Sequence, residues 1–164
     1  MCRSVGVGPV RAARLLAGLE LGRRVRQRRA TLARADHPGA VVELFDTELL
    51  DTERFWLVTL DGQGRVRSKR CLAHGGQQAV NISAREILSM ALRDGAQGFV
   101  LVHNHPGGST VPSPEDVEMT HAVERAADLV GVPLLDHIVI GAGGRFTSLY
   151  ESGRLVSSSL PRAG

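Results

Sequence analysis

The chain has 164 residues, 43% of them hydrophobic, and a formal net charge of +3. That length suits one domain with a short extension, and the hydrophobic share excludes a disordered chain. No run of about 18 apolar residues is present, which excludes a membrane span. The opening residues, MCRSVGVGPVRAARLL, lack the apolar core and cleavage site of a secretory signal.

Residues 9–34 are predicted to be helical, with Pro9 at a first-turn position and an apolar stripe of Leu15, Leu16, Leu19 and Val25. The first 34 residues hold nine arginines against one acid, Glu20, which makes this segment +8 and leaves −5 for the rest. Such a segment reads either as a solvated helix face or as a surface for nucleic-acid phosphates. Asp36-His37-Pro38-Gly39 breaks the helix, and residues 40–50 read as a second short helix. FWLVTLDG (Phe55 to Gly62) is a strand ending in a hairpin signal, with Arg65 to Leu72 returning. Gly75-Gly76 marks a loop. Ser83 and Glu86 form a capping box that opens a helix over Ala84–Asp94. Gly98 to His103 is a strand too apolar for an exposed edge. Residues 104–112 are a loop, Pro114–Val130 a helix ended by Gly131, and Leu134–Ile140 and Arg145–Tyr150 a last hairpin. The tail from about Ser157 reads as loose. This order predicts an α/β or α+β domain with a mixed sheet. Cys2 and Cys71 are too few for a disulfide framework or a cysteine zinc knuckle, and are expected as reduced thiols in the cytoplasm.

The chemistry-bearing stretch is His103-Asn104-His105-Pro106, then Gly107-Gly108, then Ser113-Pro114-Glu115-Asp116. Residues two apart in extended chain point the same way, so His103 and His105 can aim both rings at one ion. A turn through Pro106-Gly107-Gly108 can bring the next helix back, with Asp116 supplying a carboxylate oxygen. Two histidines and one carboxylate leave a tetrahedral zinc with an open position for water, the pattern of a catalytic rather than a structural site. Zinc lowers the pKa of its bound water and polarises a carbonyl. Glu53, at the mouth of the strand over 55–60, is the candidate general base. Ser113 can donate its hydroxyl to a tetrahedral oxyanion. Other readings stay open. Ser113 with Asp116 also matches a helix cap with Pro114 in the first position, and the three ligands also suit a facial triad for non-haem iron, which leaves Glu53 and Ser113 unused. His137 reads as a satisfied core histidine, His74 and His121 as solvent-facing, and Phe55 and Trp56 as core.

The spacing His103-x-His105-Pro106-x6-Ser113-x2-Asp116, preceded by Glu53, resembles the JAMM motif of the MPN/JAB metalloprotease superfamily. Ala84-Arg85-Glu86-Ile87, Val102 to Pro106, Pro112 to Asp116 and Leu135-Asp136-His137-Ile138-Val139-Ile140 together resemble its bacterial RadC-like branch. Gly6 to Leu16 is similar to the end of that branch's helix-hairpin-helix unit. The resemblance implies an MPN (cytidine-deaminase-like) α/β domain, a three-layer mixed-sheet fold over residues 37–156. It also implies a partial helix-hairpin-helix within the basic helical segment over 1–36, while the residues themselves give a loose tail over 157–164. It implies zinc at His103, His105 and Asp116, water activation by Glu53 and support of the tetrahedral intermediate by Ser113. Peptide or isopeptide bonds in a protein substrate and a DNA-repair association follow from the same likeness. The alternative is a scaffold module that binds DNA through its basic N-terminus without catalysis.

Overall fold

The computed structural model describes residues 8–45, 51–75 and 82–155, with the backbone alone described for Pro9 and residues 23–32. The chain runs α1 (Pro9–Leu32), α2 (Pro38–Val42), β1 (Arg54–Leu60), β2 (Val66–His74), α3 (Ala84–Arg93), β3 (Gly98–Asn104), α4 (Pro114–Val130), β4 (Leu134–Ile140) and β5 (Phe146–Ser148), with a 3-10 turn over Ala142–Gly144. The five strands form one sheet in the order β2-β1-β3-β4-β5. Among the described strands only β3 and β4 pair in parallel, joined by the α4 crossover; the other pairs are antiparallel. The mixed α/β fold is therefore the one the sequence predicts.

Side-chain alternation divides the core into two layers. Phe55 and Leu57 of β1 and Leu101 of β3 pack with Ile87 and Ala91 of α3 and Val123 and Ala127 of α4. Trp56, Val58 and Leu60, with Val100 and Val102, face the other way, onto Val41, Val42 and Phe45 around α2. Phe45 and Trp56 meet edge to face with ring centroids 4.9 Å apart. Phe55 and Trp56 are thus core residues, as expected. Both outer faces of the sheet's centre are covered, which is why β3 is apolar from Gly98 to Val102 without alternation.

Several bounds move. The second helix ends at Val42 rather than continuing to residue 50, because Phe45 turns inward to reach Trp56; residues 46–50 lie outside the described residues. β2 starts at Val66 and runs on to His74, after a loop in which Asp61 accepts the N–H groups of Gln63 (2.8 Å) and Arg65 (2.9 Å). Gly64 closes that loop at φ +72°. The last strand is three residues, Phe146–Ser148, because the Tyr150 N–H bends back to the Asp136 carboxylate at 3.1 Å. After α1 the chain is stitched to this hairpin, through Ala35 N–H to Gly64 O and Val66 N–H to Ala33 O. Along α1, Val10, Leu15, Leu16, Leu19 and Leu21 are exposed. The side chains of Val25 and of the arginines over 23–29, Gly6, and the tail from Ser157 lie outside what the structure describes.

Candidate metal centre

β3 delivers His103 to the α4 side of the sheet and Asn104 to the other. His105 continues the extended course, since its N–H donates to Ile140 O at 2.9 Å. The chain then turns, with the Gly108 N–H on His105 O (2.9 Å) and Gly108 at φ +79°. The loop is pressed against the turn after β4. A Cβ on Gly141 would stand 2.6 Å from Gly108 O, so only glycine allows that approach. Pro114 then opens α4, whose N-cap is Ser113.

The result is a compact triangle. His103 Nε2 lies 3.0 Å from His105 Nε2 and 3.3 Å from Asp116 Oδ2, and His105 Nε2 lies 3.7 Å from that same oxygen. Two donors at about 2.05 Å from a tetrahedral ion stand about 3.3 Å apart, so the three separations straddle the value zinc requires. Among the described residues this is the one group of three such side chains close enough to share an ion. His103 is 1% exposed, whereas the His105 and Asp116 side chains keep 21% and 18%. The site is closed from the core and open on one side.

Ser113 is the cap and touches the site as well. Its N–H (2.8 Å) and hydroxyl (2.7 Å) both donate to Asp116 Oδ2, and its Oγ accepts the Asp116 N–H at 3.1 Å. Burial pushes the Asp116 carboxyl up, but the His103 ring and the two Ser113 donors outweigh it and hold the carboxyl well below the usual range. In this arrangement the Ser113 hydroxyl hydrogen is committed to Asp116.

Glu53 stands just before β1, half-buried, its carbonyl accepting the Gly75 N–H at 2.8 Å. Phe55 lies opposite His103, so the antiparallel register carries residue 53 opposite residue 105. Glu53 is not a member of the ligand triangle. The buried Asn104 brackets it: Oδ1 accepts the Arg54 N–H (2.9 Å) and Nδ2 donates to Thr52 O (3.0 Å).

The sequence reading missed three supporting residues: Asn104, Thr120 and His137. His137 is a core histidine with both ring nitrogens occupied, as expected, but one partner is a site residue. Its Nε2 lies 2.8 Å from His103 Nδ1, and its Nδ1 lies 2.5 Å from Thr120 Oγ1. Full burial holds its pKa well below the ordinary value. Phe55 covers the pair, stacked on His103 at 6.0 Å and edge-on to His137 at 5.6 Å. One signal was available, because Thr120 stands one helical turn after Asp116, on the same face. Of the histidines set aside, His74 is exposed and His121, partly exposed, pairs with Glu124 at 3.2 Å.

Two histidines at the end of a central strand, joined by a helix-cap carboxylate in a covered mixed sheet, define an α/β domain built around a candidate metal centre. The family model for the RadC-like JAB domain matches residues 35–154, and the chain belongs to that family. It is similar to proteins named only "UPF0758 protein". That of Finegoldia magna is 37% identical over 140 residues, 84% of this chain and 63% of the relative. Those of Geotalea uraniireducens (37% over 158 residues) and Trichlorobacter lovleyi (38% over 153 residues) share 94% and 92% of this chain, and 69% and 66% of their own length. The chain therefore spans about two thirds of the length of these relatives. Among the described residues no helix is long and apolar enough to cross a membrane.

Proposed function

We propose that this protein is a zinc-dependent hydrolase of amide bonds, of the JAMM metalloprotease type, acting on a peptide or isopeptide bond of a protein substrate. The observation that carries the reading is the His103–His105–Asp116 triangle, with sides of 3.0, 3.3 and 3.7 Å and one open side. Zinc held there would polarise the scissile carbonyl and acidify a water. The residues of the chain do the rest. Glu53 takes the proton of the attacking water on its carboxylate and returns it to the leaving amine nitrogen. Asn104 sets the backbone on both sides of Glu53, and β1 holds that backbone to β3. For Ser113 to stabilise the oxyanion, its hydroxyl must leave Asp116 Oδ2, whose other donor, the Ser113 N–H, stays in place.

The test compares wild type with Glu53→Gln, each loaded with zinc, on peptide and isopeptide-linked substrates. Turnover falls by about 10²–10⁴-fold while zinc content is unchanged. Equal turnover in Glu53→Gln would overturn the assignment of the base. Asn104→Ala, with Glu53 intact, lowers turnover in the same direction and binds zinc as wild type does.

A second reading, DNA contact in a repair setting, rests on α1, where Arg11 and Arg14 are exposed on a helix that belongs to a +8 segment. It predicts DNA affinity that falls steeply with salt and drops further in Arg11→Ala/Arg14→Ala. The cytoplasm is the proposed compartment, since Cys71 is a free, exposed thiol.

A further inference from the structure

We infer that Thr120 and His137 are positioning residues: they form a one-way hydrogen-bond chain that joins two of the candidate metal ligands and dictates which nitrogen of His103 is offered to an ion. This rests on the metal-site reading above, and not on hydrolysis.

The direction of the chain follows from proton counting. Thr120 Oγ1 lies 2.5 Å from the Asp116 carbonyl oxygen. A carbonyl can only accept, so the single hydroxyl hydrogen of Thr120 lies in that contact. Thr120 Oγ1 is also 2.5 Å from His137 Nδ1, and with its own hydrogen spent it can only accept there. His137 therefore carries its proton on Nδ1. Its ring is wholly buried between that hydroxyl and the His103 ring, with no carboxylate bonded to it among the described residues, so with the proton on Nδ1 its Nε2 faces His103 as an acceptor. His103 must then donate from Nδ1 across the 2.8 Å contact, so Nε2 is the nitrogen it can offer to an ion. That is the nitrogen 3.0 Å from His105 Nε2 and 3.3 Å from Asp116 Oδ2. One hydroxyl thus sets two imidazole tautomers in series. It anchors them to the backbone of Asp116, so the histidine from β3 and the carboxylate from α4 are registered to each other. A ligating histidine held through its second nitrogen is how metal sites are commonly oriented.

Thr120→Val keeps the shape and removes the hydroxyl. His137 is then free to carry its proton on Nε2 and donate to His103 Nδ1, which shifts the His103 proton onto the nitrogen the metal needs. Zinc affinity, measured by competition with a chelator, falls by about 10–100-fold. Thr120→Ser restores it, since the hydroxyl returns. Long-range ¹H–¹⁵N spectra of the zinc-free protein give a second readout. In wild type and Thr120→Ser, His103 is protonated on Nδ1; in Thr120→Val it shifts toward Nε2 protonation, a change that loose packing alone would not produce. If the valine variant folds poorly, Thr120→Ala removes the same hydroxyl with less bulk. The inference is overturned if a folded valine or alanine variant keeps wild-type zinc affinity and the wild-type tautomer, or if serine fails to rescue. Should wild type bind no zinc, the metal reading fails, and the tautomer measurement still decides whether the chain of hydrogen bonds exists.

Discussion

Among the described residues the same helix-capping device occurs twice. At the start of α3, Ser83 donates its N–H (3.0 Å) and hydroxyl (2.7 Å) to Glu86, and its Oγ accepts the Glu86 N–H at 3.3 Å. At the start of α4, Ser113 and Asp116 make the same three bonds at 2.8, 2.7 and 3.1 Å. Ser83 and Glu86 are exposed and their bonds end there. Asp116 differs in what lies beyond the cap, because two imidazoles converge on the oxygen that Ser113 holds. A cap satisfies the free N–H groups of a helix start and orients a carboxylate. Whether that carboxylate does anything else depends on which strand ends in front of it.

Removing the carboxylate separates the two caps most sharply. Asp116→Ala loses bound metal, from about one zinc per chain to near none after dialysis, whereas Glu86→Ala keeps it and loses only helix-start stability. Metal analysis of the two variants beside wild type reads this directly. Equal metal content in all three would reduce Asp116 to a cap.

A third carboxylate sharpens the contrast by sign. Asp136, in β4, accepts Ser148 Oγ (2.7 Å) and the N–H groups of His137 (2.7 Å) and Tyr150 (3.1 Å). Burial nevertheless pushes its carboxyl up to about 6 from an ordinary 3.8. Between those values the folded state holds a proton that the unfolded chain has released. Its effect on stability therefore worsens as pH rises from about 4 to about 6 and is level above that, by up to about 3 kcal/mol. Glu86 behaves oppositely. The Ser83 N–H and hydroxyl hold its carboxyl below the ordinary value, so its contribution is complete above about pH 4.5 and is lost as pH falls through the folded pKa. Denaturant midpoints against pH show both trends. Asp136→Asn flattens the first and Glu86→Gln the second.

These contrasts show where sequence reasoning stops. α4 and β4 begin and end where the pattern placed them, because Pro114, Gly131 and the apolar residues Leu134, Leu135, Ile138, Val139 and Ile140 are local signals. His103, His105 and Asp116 were legible for the same reason, since they lie within fourteen consecutive positions and their spacing encodes the turn between strand and helix. His137 looked inert because its partner is 34 residues away in sequence, and only the parallel pairing of β3 with β4 brings the two rings together. Asn104 was hidden by alternation. It lies between two candidate ligands but faces the opposite way, where its amide holds the backbone that flanks Glu53. The early end of α2 had no local marker, because the inward turn of Phe45 depends on Trp56 being there to receive it.

Exchanging side-chain lengths tests whether the two caps are interchangeable. Glu86→Asp alters an exposed carboxylate and leaves both metal affinity and fold unchanged. Asp116→Glu adds a methylene to a carboxylate 3.3 Å from His103 and pushes it into the triangle, and zinc affinity falls about tenfold or more, roughly 1.4 kcal/mol. A chelator competition on both variants gives the comparison, and equal affinities would mean that the site tolerates a carboxylate at either reach.

The smallest effect is the most discriminating. Ser83→Ala and Ser113→Ala each delete one cap hydroxyl and each costs about 1 kcal/mol of stability, measurable as matching shifts in thermal or denaturant midpoints. The stabilities should therefore agree and the metal affinities should not. Without the Ser113 hydroxyl, Asp116 Oδ2 keeps one donor instead of two and its carboxylate is freer to rotate out of the triangle, so zinc binding weakens severalfold in Ser113→Ala and is untouched in Ser83→Ala. If the two alanine variants lose equal stability and bind zinc alike, Ser113 acts on the helix alone, and its place beside the ligands has no consequence for the metal.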